Sequence, residues 1–300
     1  MNGKIGEVGT VPIPTELARA KSQKPASMIW HQFHKNKTAM IGCMLLLIVI
    51  LAVVLAPFLS SYPVDKMNFQ DRFQGPSLKH FFGTDDFGRD IFARVLFGGR
   101  ISLVTGLVTV AVSSILGVMI GTITGYYRKI DLYVMLVMDT LLALPPLILA
   151  IAIIAIFGPG LTNAMMAIVI AIIPRFVRLV RSSVLSVREK EYIEAVHALG
   201  VPDYKILLKH IIPNIISPII VLTTILFGNV ILVSASLSFL GLGAQPPAPE
   251  WGAMVNVGKS YLTQAWWMSL FPGLGIMLAV LGFNLLGDGL RDVLDPKMNK

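Results

Sequence analysis

Six stretches of this chain, roughly 39–60, 102–126, 132–157, 161–183, 216–241 and 268–288, are each about 20 or more residues long and mostly apolar. That is the length an α-helix needs to cross the hydrocarbon core of a bilayer. In lipid a segment must satisfy its own backbone N–H and C=O groups, which a helix does and an isolated extended run does not. The expected architecture is therefore an all-α polytopic membrane protein with six transmembrane helices. Charge agrees: 14% of the 300 residues are charged and 55% are hydrophobic, whereas soluble domains carry about 25% charged residues. The third stretch contains Pro145-Pro146, which removes backbone donors and predicts a kink.

The placement of Lys and Arg sets the orientation, because loops rich in them stay in the cytoplasm. The lead before the first stretch holds six, the turn 127–131 two, the end of the fourth stretch with the loop to 215 seven, and the C-terminal segment three. The turn 158–160 holds none and the loop 242–267 holds only Lys259. Both termini and the even-numbered loops are expected in the cytoplasm of a cell whose plasma membrane holds the chain. The loop 61–100 breaks the trend with six basic residues, although five Asp nearly balance them and the other segments outvote it. The expected organisation is a cytoplasmic tail over 1–38, a first span over 39–60, an external loop with an interfacial helix over 61–97, a five-helix transmembrane domain over 98–290 and a cytoplasmic tail over 291–300. The polar lead and the first apolar run are both too long for a signal peptide, so the first span is expected to be retained. The net charge of +8 lies mainly in cytoplasmic loops. Topology accounts for it, and no nucleic-acid partner is expected.

One segment does not belong in lipid. Residues 191–214, EYIEAVHALGVPDYKILLKHIIPN, are half apolar yet carry two Glu, one Asp, two Lys and two His. Glu, Lys, Ala and Leu make 189–199 a good helix, and Gly200 can end it by adopting a left-handed backbone. Pro202 suits the first turn of a second helix and Asp203 suits its positive end. Tyr204, Leu207, Leu208, Ile211 and Ile212 repeat at helical spacing as an apolar stripe, and Pro213 should disrupt the continuation. An interfacial helix pair resting on lipid is the bland reading. Ala195, Ala198 and the exposed acids favour instead a short helix entering a groove on another protein.

Glu194-Ala195-Val196, three residues, Gly200 and the end at Ile212-Pro213 resemble the EAA loop of importer-type ABC-transporter permeases. Val196 stands where many members have Ala, and His210-Ile211-Ile212-Pro213-Asn214 is close to an ending common in the peptide branch. FGTDDFGRDIFARVLFGGRISL (82–103), LSFLGLGAQPPAPEWGAM (237–254) and FNLLGDGLRDVLDPK (283–297) are likewise similar to the peptide/nickel branch, so the resemblance runs from about residue 30 to the end. The C-type subunits of dipeptide systems look most alike, with glutathione-import subunits nearly as similar. The resemblance implies the type I importer fold and a coupling loop at 189–214 that docks on a separate ATPase. Glu194, Ala195, Val196, Ala198, Gly200, Asp203, Ile212 and Pro213 are the candidate coupling residues. It also implies a sister permease, two ATP-binding subunits and an external solute-binding protein, with ATP and Mg acting on the partners. The cargo it implies is dipeptides or short peptides, with glutathione or nickel chelates as alternatives.

The remaining polar features are less specific. Asp139 is the one acid well inside a span, which makes it a functional candidate by default. A structural pairing with Arg175 is expected, and a proton relay lacks a second deep acid. Arg175, Arg178 and Arg181 share one face of the fourth span and suit snorkelling to lipid headgroups. Phe87, Ile91, Phe92, Val95 and Leu96 form one face of a helix over 86–97, capped by Asp85 or Asp86 and lying along the outer interface. Trp251, Trp266 and Trp267 suit interface anchoring or contact with a delivering protein. Asp288, Asp292 and Asp295 read as solvated acids, and Ser234, Ser236 and Ser238 as helix-packing residues. The lone Cys43 and the scattered His31, His34, His80, His197 and His210 give neither a disulfide nor a metal site. Gly252 to Gly258-Lys259-Ser260 has five residues between the glycines instead of four and lies on the external side, so the chain itself is not expected to be an ATPase. A secondary transporter or channel is the rival, but neither inverted repeats nor the buried charges of a coupling-ion site are evident.

Overall fold

A computed structural model describes residues 32–294. Among them five helices are each long and apolar enough to cross a membrane, and a bent pair adds a broken sixth candidate. α1 (Lys37–Val54) is capped by Asn36, whose side-chain oxygen accepts the Ala39 N–H at 3.1 Å, and the short α2 (Ala56–Leu59) follows. α3 (Ile91–Tyr126), α4 (Arg128–Leu142), α5 (Pro146–Phe157) and α6 (Leu161–Arg188) come next. After them run α7 (Glu191–Ala198), α8 (Asp203–Phe239), α9 (Trp251–Gly258) and α10 (Trp267–Leu294). Most of the two terminal tails, with His31 and Asp295, lies outside the described residues.

Close approach of backbones organises the bundle. α3 lies along α6 because Gly117, Gly121 and Gly125 face Phe176, Val180 and Val184 one turn apart. A Cβ at Gly121 would sit 2.7 Å from the Val180 Cβ, so no larger residue fits without moving a helix. Lipid offers no hydrophobic drive between helices, and small residues at such a seam let dispersion contacts hold it. α1 closes on α10 in the same manner, Gly42 against Leu286 and Gly289 against Ala39. α8 fills the centre, where Leu226, Val230, Ile231 and Leu237 join Phe176, Ile154 and Trp251 in one buried cluster. Leu107, Ile115 and Met119 of α3 and Met44, Leu47 and Ile48 of α1 remain exposed on the outside, the surface that hydrocarbon covers.

Four expectations need correction. The third stretch is not one kinked helix: α4 and α5 meet at 94° across Ala143–Pro145. No separate helix spans 86–97. Asp85 accepts the N–H groups of Phe87 and Arg89 at 2.9 Å, Gly88 turns at φ +72°, and α3 starts at Ile91 and runs unbroken into the span. Asp90, not Asp85 or Asp86, caps it, and Ile91 and Val95 are buried against Met254, Trp267 and Met268 instead of lying on the interface. Trp251 and Trp267 are not lipid anchors either. Both are buried, and their indole N–H groups donate to Val95 O at 2.8 Å and Thr84 O at 3.1 Å, while Trp266 is half exposed. Finally, Pro213 does not end the helix before it. A π turn at Leu207–Ile211 lets α8 run on through Pro213, since the wider turn absorbs the missing N–H.

Candidate functional site

The charged segment forms a bracket at one end of the bundle. α7 is eight residues long and begins with Glu191 and Glu194 in its first turn, where the helix dipole favours acids. Leu199 caps its end and Gly200 follows at φ +76°, a conformation that costs a residue with a Cβ but not glycine. Pro202 leads into α8. Ile193 is the buried foot of α7, inserted among Val180, Val184, Val187, Ile206, Ile211, Ile215 and Tyr126, with Val196 packed on the edge. The buried residues of α8 here are Ile206, Ile211 and Ile215, spaced by five and four. The π turn produces the spacing of five, so the expected stripe is split: Ile211 is buried while Tyr204 and Leu208 are turned outward.

Of the candidate coupling residues, Glu194, Ala195, Ala198, Gly200 and Pro213 are exposed, Val196, Asp203 and Ile212 half-buried. Leu199 joins the exposed group at 81%. A cleft of about 1100 Å³ runs beside them, lined among others by Arg128, Lys129, Glu194, His197 and Ala198.

Three groups that the sequence reading did not single out fix the bracket to the bundle. The Tyr126 hydroxyl donates to Asp203 Oδ1 at 2.8 Å and the Tyr127 hydroxyl to Oδ2 at 3.2 Å. Arg188 Nη1 donates to the Tyr126 carbonyl at 2.7 Å and its guanidinium lies over the Tyr126 ring. Loss of hydration, then the Asp203 charge, pushes the Tyr127 phenol up, so it remains a donor. Asp203 thus does more than complement a helix dipole: it ties α8 to the end of α3. A Tyr-Tyr pair at the end of an apolar run was the available signal.

Inside the span, Asp139 meets Arg178 at 2.5 Å, not Arg175. Arg181 Nη2 meets Asp131 at 2.5 Å. The two pairs join α4 to α6, so these two arginines have carboxylate partners within the chain itself. At the opposite end of the bundle, Arg94 is buried and donates to the carbonyls of Val64 and Pro247. Glu250 caps α9 through the Ala253 N–H and accepts from Ser102. Asp292 accepts from Asn36 at 3.1 Å, Asp288 is exposed, and Ser234 and Ser238 are buried in packing positions.

Glycine-seamed helices of spanning length, a helix pair bent at 94° and a charged bracket at one end define a multi-pass membrane protein. The chain belongs to the family of binding-protein-dependent transport system inner membrane components, whose pattern it matches over residues 91–300; residues 24–76 match the N-terminal transmembrane domain of oligopeptide transport permease C. It is 51% identical to a dipeptide transport system permease protein of Alkalihalophilus pseudofirmus, over 96% of this chain and 94% of that one. A putative peptide transport system permease protein of Brucella abortus is 44% identical over 95% and 98%. The glutathione transport system permease protein of Escherichia coli is 42% identical over 91% of each. Its fold resembles that in an inward-facing structure of the MetNI methionine ABC transporter, with a TM-score of 0.51 and 21% identity over 65% of this chain and 93% of that one. The fold is the transmembrane fold of type I ABC importers.

Proposed function

We propose that this chain is the permease subunit of an ATP-driven importer that carries dipeptides or short peptides inward by alternating access. Both termini and the 191–214 bracket face the cytoplasm of a bacterial cell, and the bracket is the lever. A sister permease completes the path, two ATP-binding subunits hold the levers, and an external solute-binding protein delivers cargo. ATP and Mg act on those subunits, not on this chain. As the ATP-binding subunits close, the docked bracket moves α6 and α8 together, because Ile193 and the Asp203 bonds leave it little play. Such a cycle works only if the partners contact the two states differently.

The observation that carries this reading is the exposed face of Glu194, Ala195, Ala198, Leu199 and Gly200 on a charged segment outside the apolar spans. Small residues beside a large exposed apolar one suit a protein groove. In a Cys43→Ser background, Ala198→Cys should cross-link to an ATP-binding subunit; labelling of that cysteine only from outside the cell sinks the proposal. Peptide cargo is supported by the relatives named for dipeptide and peptide transport. The glutathione relatives favour a second reading. Stimulation of ATP hydrolysis in the assembled complex by a dipeptide, glutathione or a nickel chelate ranks the candidates.

A further inference from the structure

Two of the three arginines in the middle of α6 are matched by carboxylates of α4. Asp131 neutralises Arg181 and Asp139 neutralises Arg178. Arg175, one turn deeper on the same side of α6, has no carboxylate within ion-pair distance among the described residues. It lies about 21 Å from Leu161 and about 20 Å from Arg188 at 1.5 Å per residue, the middle of the helix. A guanidinium at that depth faces a bundle interior or water, not hydrocarbon. Two observations bear on what lies at the same level. The side chains of Asp139 and Arg178 are 54% and 57% exposed on this chain, so they suit a partner subunit or water and not lipid tails. The chain also leaves helical geometry just beyond Asp139, at the 94° break between α4 and α5. Non-helical backbone at membrane depth is tolerated only inside protein or beside an aqueous cavity.

We propose that Arg175, beside the Asp139–Arg178 pair, is a recognition station on an aqueous transport path, and that it takes a free carboxylate of the transported solute. This rests on the importer reading above and names the chemical class that the path selects. Asp139 occupies Arg178 and leaves Arg175 as the guanidinium free to bind. Its planar fork of N–H donors matches a carboxylate. A dipeptide and glutathione each carry a free carboxylate, so the station suits either cargo.

The test uses the complete complex in proteoliposomes with its binding protein and a labelled dipeptide. Arg175→Gln should slow import by about tenfold or more, and Arg175→Lys, which keeps the charge but loses the fork, should restore only part of the rate. Import by Arg175→Gln at the wild-type rate overturns the proposal. Should that variant fail to assemble, Leu136→Cys in the Cys43→Ser background decides, since Leu136 is 67% exposed one turn from Asp139. An anionic, water-soluble thiol reagent should label it, and the dipeptide but not its methyl ester should slow the labelling. No labelling, or equal protection by acid and ester, overturns the proposal. A wild-type complex that imports neither dipeptide nor glutathione overturns the importer reading instead, and the station with it.

Discussion

Gly200 has open space around it: a Cβ built there would meet nothing within 4 Å. Its role is the backbone value of +76°, which costs an L residue about 1–2 kcal/mol. Gly200→Val should therefore insert normally and lose import per ATP hydrolysed, whereas Gly200→Asn, tolerant of that conformation, should keep most of it. Parallel import and ATPase assays on one preparation read both. A second residue works against its surroundings. Asp86 is largely buried beside Asp85, and its Oδ1 lacks a hydrogen bond. Desolvation, then the Asp85 charge, pushes its carboxyl up. A carboxyl raised on folding binds its proton more tightly when folded, so stability falls as pH climbs from 3.8 to the raised value and stays lower above it. Asp71, held down by the Lys79 hydrogen bond, has the opposite sign: its contribution is present above 3.8 and is lost as pH falls through the lowered value. Asp86→Asn should slow amide exchange in the 61–90 loop at pH 7 and lose that advantage near pH 3.

At the scale of elements, the α3–α6 seam is the tightest contact in the bundle. Gly121→Leu forces a side chain into Val180 and the Val177 carbonyl. Overpacking of this kind costs about 1–3 kcal/mol or more, and the yield of assembled, detergent-stable complex should drop. Gly273→Ala, also within a spanning helix but with nothing within 4 Å of its Cβ, should leave the yield unchanged. The bracket is held differently, by polar ties. Hydrogen bonds to a carboxylate contribute about 1.5–3 kcal/mol each, less where Asp203 is half-exposed. Asp203→Asn or Tyr126→Phe should speed amide exchange in α7 and reduce import, with α3 exchange unaltered. The two helices of the bracket and the bend at Gly200 are legible from helix formers, glycine and proline. The π turn is not, since it arises from seating Ile206 and Ile211 in the same cluster, a tertiary demand that local propensity does not register.

Across the whole molecule, charge matching inside the membrane limits assembly. Asp139→Asn leaves Arg178 as well as Arg175 without a carboxylate, so the recovered complex should fall several-fold while the pH profile of any remaining transport keeps its shape. Co-purification of the subunits and import against pH check both halves. Sequence by itself determined the number and extent of the apolar runs, the uneven sharing of Lys and Arg among the loops and the site of the bracket. Each follows from properties of a contiguous segment: length against bilayer thickness, local charge, turn residues. Only the tertiary structure decided that Arg178 takes Asp139, that Trp251 and Trp267 are buried donors, and that α4 and α5 meet at 94°. Those outcomes depend on the rotation of one helix against another and on which backbone carbonyl lies within 3 Å or so of a donor, and neither is encoded in the spacing of residues along a single segment.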